Sequence, residues 1–531
     1  MNRKTSLIAL VCITAAGLAA CGGSPSKSTG SASGGGAGGT LIVGMTAATI
    51  PGLDTTQTLA AGGEGTRFVG LQLYDGLTKW DLTQGTADPK VIPGLATSWT
   101  VSADKLSWTF HLRSGVQFTD GTPWNADAAI FNFDRYVNKS SPLFSTELSA
   151  EGGLNLAGVK AATKIDDMTV KIDTHGPWGY LDEDLATLPM ASPTAVKAEG
   201  MDFTNKPVGT GPFKFESETQ GQQLILVRNQ SYWAGPAKLD KLILRPIPDA
   251  TARMAALRSG AVNWIEVPSP DEVPTLKKQG YQVLENSYPH IWPWIFDVTK
   301  KPWNDVRVRE AANYAINRQS LADNVLQGTG EPANQYLGPA DFGFTKTDDA
   351  YSYNPTKAKQ LLADAGYPNG FTTTLSYPTS GSGNMVPTPM NEALQQDLAA
   401  VGIKVQLQPV EWSTMLASFF AGKIPGGADA LNISLAFYSP TLMTALFETG
   451  SPSNVGGYSD PKLDPLLTAL KSEFDVQQRA ATYTQINKVL TQGAPWLVVV
   501  HDLNPRVLAS NVHGFVQPKS WYADLTTVSV S

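Results

Sequence analysis

Apolar and polar positions follow two periods along this chain. Thr40-Leu41-Ile42-Val43-Gly44-Met45 is a short apolar run and predicts a buried strand. Leu106, Trp108, Phe110 and Leu112 alternate with Ser107, Thr109, His111 and Arg113, which predicts a strand with one buried face. Ser114-Gly115 then leads into Val116-Gln117-Phe118, the pattern of a hairpin. Helical spacing takes over after Asn125, a predicted N-cap, where Ala126, Ala129, Ile130, Phe133 and Val137 share a face. Asp305 precedes a second helix with Val308, Ala311, Ala312, Ala315 and Ile316 facing inward. Asn354-Pro355 opens a third, packed through Ala358, Leu361, Leu362 and Ala365 and closed by Gly366. Asp475 begins a fourth, bearing Arg479, Tyr483, Ile486 and Leu490, and it leads into the apolar strand Trp496 to Val500. Strands and helices alternate without a fixed repeat, so the body reads as mixed α/β with buried sheets.

The amino terminus differs. Arg3 and Lys4 precede an apolar run from Leu7 to Ala20, which is shorter than the roughly 20 residues of a bilayer-spanning helix. Residues 1–20 read as a secretory signal, and no other segment is long and apolar enough to span. The run ends in Leu18-Ala19-Ala20-Cys21 with Gly22 and Gly23 behind it. This resembles the lipobox of bacterial lipoproteins, which makes Cys21 the expected lipidation site. The alternative is an ordinary signal peptide with an incidental cysteine. Residues 21–39 read as a Gly/Ser tether that cannot form a core and spans about 20–25 Å.

Composition narrows the class. The chain has 531 residues, about three domains' worth, with 42% hydrophobic and 16% charged residues. The net charge of −7 argues against nucleic-acid binding through a basic surface. There are two cysteines, of which Cys12 lies in the signal, so disulfides, Cys-ligated zinc and a thiol nucleophile have no residues to use. Abundant Gly, Pro and Trp (49, 36 and 13) suit a loop-rich extracellular protein with aromatic surface to bury or present.

Candidate chemistry is sparse. His111, His175, His290, His501 and His513 show no metal-ligand spacing, so no metal site and no cofactor are expected. No G-x-S-x-G elbow occurs. Gly422-Lys423 lacks the rest of a phosphate loop, and Gly209-Thr210-Gly211 runs into Pro212. Asp182-Glu183-Asp184 reads as a solvated acidic face. A secreted hydrolase is therefore supported by no motif. Aromatic groups are more telling: His290-Ile291-Trp292-Pro293-Trp294 places two indoles on one face of an extended segment. With Trp412 and the pair Phe437-Tyr438, these form the candidate ligand-binding set His290, Trp292, Trp294, Trp412, Phe437 and Tyr438. Core packing is the competing reading for each.

Several blocks together carry a resemblance. Pro93-Gly94-Leu95-Ala96-Thr97-Ser98-Trp99 is followed by Trp108-Thr109-Phe110-His111-Leu112-Arg113-Ser114-Gly115-Val116-Gln117-Phe118 and Asp120-Gly121-Thr122-Pro123. Val208-Gly209-Thr210-Gly211-Pro212-Phe213, Tyr232-Trp233 and Ala256-Leu257-Arg258-Ser259-Gly260 come next. Asp305-Val306-Arg307-Val308-Arg309-Glu310-Ala311 and Ala358-Lys359-Gln360-Leu361-Leu362-Ala363-Asp364-Ala365-Gly366-Tyr367 complete the series. From about residue 40 to 505 the chain resembles bacterial extracellular solute-binding proteins of family five, the peptide, oligopeptide and nickel class.

The resemblance implies an α/β, two-lobed periplasmic-binding-protein-like fold of type II, in its large form, with the ligand cleft between the lobes. Segments 40–81, 207–286 and 503–531 would form the first lobe, 82–206 an additional domain on it, and 287–502 the second lobe. The implied protein is a monomeric, extracytoplasmic, lipid-anchored carrier and not an enzyme. It would capture a peptide or peptide-like solute and deliver it to the permease subunits of an ABC importer, without contacting nucleic acid. One departure matters. Peptide-binding relatives carry an acidic anchor for the α-ammonium where this chain has Leu435-Ala436-Phe437-Tyr438-Ser439-Pro440, and the nearest acids here are Asp429 and Glu448. Either another acid supplies the anchor or the solute lacks a free amino terminus. A glycoside, hydrophobic or chelate ligand remains the alternative.

Overall fold

The run at Thr40–Met45 becomes a strand because its apolar side chains are covered on both faces, and it pairs in parallel on both sides. A computed structural model of the chain describes residues 38–55, 62–145, 154–346 and 350–531. The expected signal peptide and Cys21 lie outside the described residues. Gly38 and Gly39 belong to the folded body and not to a free tether. Gly38 accepts from the Val530 amide at 3.0 Å, and Gly39 donates to the Asp240 carboxylate at 2.9 Å.

Thr40–Met45 lies inside a seven-stranded sheet. Its order is Gln282–Leu284, Arg506–Leu508, Trp264–Glu266, Thr40–Met45, Lys241–Pro246, Gln223–Arg228 and Phe213–Thr219. A second sheet runs Gly330–Pro332, Trp496–Asp502, His290–Phe296, Ala430–Asn432, Phe371–Pro378 and Ile403–Val410, with Leu435–Ala436 paired to the start of His290–Phe296. Each sheet has its own core. Among the described residues, only 285–289 and 503–505 connect a strand of one sheet to a strand of the other, and Asn286 donates to the Leu503 carbonyl at 2.9 Å between these crossings.

His290–Phe296 is buried along its whole length. Trp292, Trp294 and Phe296 face the helices Val306–Ala315, Pro355–Asp364 and Pro387–Ala399, while Ile291 and Ile295 face the opposite core. Pro293 is tolerated mid-strand because the register shifts at Trp292/Pro293, the irregularity at which a missing amide does least harm.

A four-stranded antiparallel sheet, Ala96–Val101, Ser107–Leu112, Thr169–Thr174 and Val159–Asp166, carries the helix Ala126–Tyr136. Asn125 caps that helix by accepting from the Ala128 amide. Its buried face is wider than the spacing predicts. Ile130 and Val137 are only partly covered, while Asn132 is fully buried and donates to the carbonyls of Ala128 and Ala191. The expected hairpin does not form: Ser107–Leu112 pairs with Ala96–Val101 and Thr169–Thr174, and Gln117 makes an isolated bridge to Pro123. Leu106 lies outside the strand and is exposed. The other three caps, Asp305, Asn354 and Asp475, all accept from a first-turn amide.

Candidate functional site

Two indoles define a cavity where the two sheets' lobes meet. Trp412 opens the helix Trp412–Phe420, whose N-cap Glu411 accepts from the Thr414 amide, so the ring is held at a fixed helix start. Trp521 lies in the carboxyl-terminal segment of the other lobe. Together with Gly62, Gly63, Trp80, Phe419, Tyr438 and Tyr522 they wall a cavity of about 200 Å³. Glycines from both lobes make the fit possible. A Cβ on Gly381 would lie 2.4 Å from Cδ2 of Trp412, and one on Gly62 would lie 3.2 Å from its Cζ2. Trp521 is enclosed in the same way, by Gly63 at 2.7 Å and Gly383 at 2.4 Å. Gly381 and Gly383 also sit at φ of +102° and +74°, which side-chain-bearing residues rarely adopt.

Polar groups hold this wall in place. The Trp521 carbonyl accepts from both Arg67 and Arg506, guanidinium groups that also face Glu266, and its amide donates to the Tyr438 hydroxyl at 2.9 Å. Behind Trp521 lie Tyr288 and His290, with ring centroids 6.1 and 6.0 Å away. The Trp521 Nε1–H itself is buried and finds no acceptor among the described residues.

The third wall comes from the short helix Leu181–Asp184. Asp184 accepts from Trp178 Nε1 at 2.9 Å, Ser439 Oγ at 2.8 Å and Thr441 Oγ1 at 2.7 Å, so it joins its own short helix to the start of the helix Pro440–Phe447. All three donors are neutral, and burial pushes its carboxyl up to about 8. Glu183 bridges to Arg479 at 2.6 Å; burial raises its pKa while Arg479 opposes the rise. These acids are not the solvated face that the polar stretch predicts. Ser439, Thr441 and Arg479 lie more than 250 residues further along the chain and cover them.

A second cavity of about 510 Å³ adjoins the first and shares Trp80, Glu183 and Tyr438 with it. Lys90, Asp182, Asp341, Phe437, Arg479 and Lys519 are among its walls. Tyr438 therefore stands between an aromatic chamber and a charged one.

The sequence profile described as "Bacterial extracellular solute-binding proteins, family 5 Middle" matches residues 90–450. The chain belongs to this family. This family 5 protein is 31% identical over 489 residues to heme-binding protein A of Haemophilus influenzae, covering 86% of this chain and 87% of that one. It is 30% identical over 494 residues to the glutathione-binding protein GsiB of Escherichia coli K12, covering 90% and 91%. Among solved structures, DppA of Helicobacter pylori with the peptide STSA superposes with a TM-score of 0.80 at 26% identity, covering 93% of this chain and 98% of that one. The dipeptide-binding protein of Pseudoalteromonas with Met-Leu gives 0.81 at 22% identity, covering 93% and 100%. The type II, two-lobed α/β fold implied by the sequence blocks is the fold of this protein. Solute binding outside the cytoplasm is the family's role, and among the described residues no helix is long and apolar enough to cross a membrane.

The family 5 protein brings only half of the expected aromatic set to the cleft. Trp412 and Tyr438 line the aromatic chamber, and Phe437 with Tyr438 lines the charged one. His290, Trp292 and Trp294 line neither; they are core residues, which corrects the ligand-binding reading of all three. Trp294 Nε1 donates to Asn391 Oδ1 at 2.8 Å, and His290 Nδ1 accepts from the Asp502 amide at 3.0 Å. Sequence reasoning missed Trp80, Trp521, Glu183 and Asp184. The only local signal was the density of small residues at Gly62-Gly63 and Gly381-Ser382-Gly383.

Proposed function

We propose that this family 5 protein captures a peptide or peptide-like solute between its lobes and passes it to the permease subunits of an ABC importer. The observation that carries this is the aromatic chamber, walled jointly by both lobes and the additional domain. Segments 40–81, 207–286 and 503–531 act as the first lobe, 82–206 as the domain added to it, and 287–502 as the second. Motion at the two crossings, 285–289 and 503–505, opens the chamber. A solute that touches both lobes only when they are closed shifts the balance to the closed form, which the importer reads as a shape. Trp412, Tyr438 and Phe437 are the proposed solute contacts from the initial set, joined by Trp80 and Trp521.

A solute whose iron needs a His, Cys or Met ligand fits less well. His, Cys and Met are absent from the described walls of both cavities, so those soft or imidazole donors cannot ligate an iron there. Cys21 is the proposed lipid attachment point, and Cys21→Ser is expected to move the protein from the membrane fraction to the soluble one. Mass spectrometry of solute released on denaturing natively purified protein tests the main reading. Peptides or γ-linked peptides are expected; a uniform non-peptide solute would overturn it.

A further inference from the structure

The charges of the cleft are divided between its chambers. No Lys, Arg or His lines the aromatic chamber among the described residues. Its two acids, Glu183 and Asp184, lie on the wall formed by the additional domain. The charged chamber holds every cation of the cleft's described walls: Lys90, Arg479 and Lys519. Arg479 is taken by Glu183 at 2.6 Å. Lys519 pairs only with the exposed Asp88, at 3.2 Å, and Lys90 makes no ion pair among the described residues. The remaining acids there do not occupy it: Asp341 accepts the Gly338 amide, and both Asp182 and Asp341 are shifted towards the neutral form by burial.

We infer that the cleft orients its solute, placing an uncharged apolar group in the aromatic chamber and an anionic end against Lys90 and Lys519 in the charged one. Burying a carboxylate beside Glu183 and Asp184 with no cation would cost several kcal/mol. On the other side of Tyr438 the same carboxylate meets Lys90, which has no ion pair among the described residues, and Lys519, whose partner Asp88 is exposed. This assignment rests on the peptide reading above and specifies which end goes where.

The test is calorimetric titration of Leu-Phe and Leu-Phe amide into the natural protein and into a Lys90→Gln/Lys519→Gln variant. Both side chains stand at the cleft's outer wall and outside the cores, so the variant is expected to melt like the parent. Leu-Phe is expected to weaken about fivefold or more in the variant, a loss of roughly 1 kcal/mol, while the amide changes less than about twofold. Equal losses for both probes, or no loss for either, would overturn the orientation and leave peptide binding standing. Failure of the natural protein to bind either probe would overturn the peptide reading and the orientation with it.

Discussion

Two tryptophan pairs invite comparison. Trp292 and Trp294 are covered by side chains of their own lobe, and Trp294 has its own acceptor in Asn391. Trp412 and Trp521 are also almost fully buried, yet part of their cover is glycine backbone from the opposite lobe: Gly62 against Trp412, Gly383 against Trp521. Burial alone does not separate the two pairs. The origin of the cover does. An indole packed by its own lobe stays buried whatever the lobes do, whereas one packed by the other lobe's backbone loses its cover when the lobes part.

The largest effect that could break this contrast is expected at Trp294→Ala. It should cost about 3–5 kcal/mol in urea unfolding, with solute affinity unchanged in the protein that remains folded. A stable variant that has lost its solute would move Trp294 into the site. Next comes Gly381→Val, which drives a side chain into Trp412 at a positive φ. Solute affinity should fall at least about tenfold, ~1.4 kcal/mol, with a melting temperature a few degrees lower; unchanged affinity would show that Trp412 does not contact solute. A third effect, spread over several pH units, concerns Asp184, whose raised pKa means that the folded form holds a proton the unfolded chain releases. Its contribution is therefore full below about pH 4 and is lost as pH rises towards about 8. Asp184→Asn should remove up to one proton's worth of slope, ~1.4 kcal/mol per pH unit, from stability measured between pH 5 and 8. Parallel pH profiles for parent and variant would mean that Asp184 is ionised as it stands.

What could be read in the sequence was local. Asn125, Asp305 and Asp475 announce their helices because a cap bonds to amides two or three residues away. Trp496 to Val500 reads as a covered strand because its composition alone requires it. The rest depended on partners far along the chain. Ser107–Leu112 takes Thr169–Thr174 as a neighbour and not the residues after its turn. Asp182-Glu183-Asp184 is a polar triplet until Arg479, Ser439 and Thr441 arrive from the other lobe. Trp292 and Trp294 share a face, as their spacing requires, but spacing does not say which layer that face meets.

Arg506–Leu508 pairs with Trp264–Glu266 on one side and Gln282–Leu284 on the other. It is the last strand of that sheet to be synthesised, and without it Gln282–Leu284 has no partner. The second-lobe sheet is already complete by Asp502. Assembly is thus expected to run against the order of the chain: the lobe encoded in the middle can fold early, while the lobe that begins first waits, its sheet edge open, for nearly the whole polypeptide. That interval is when the protein is most exposed to aggregation.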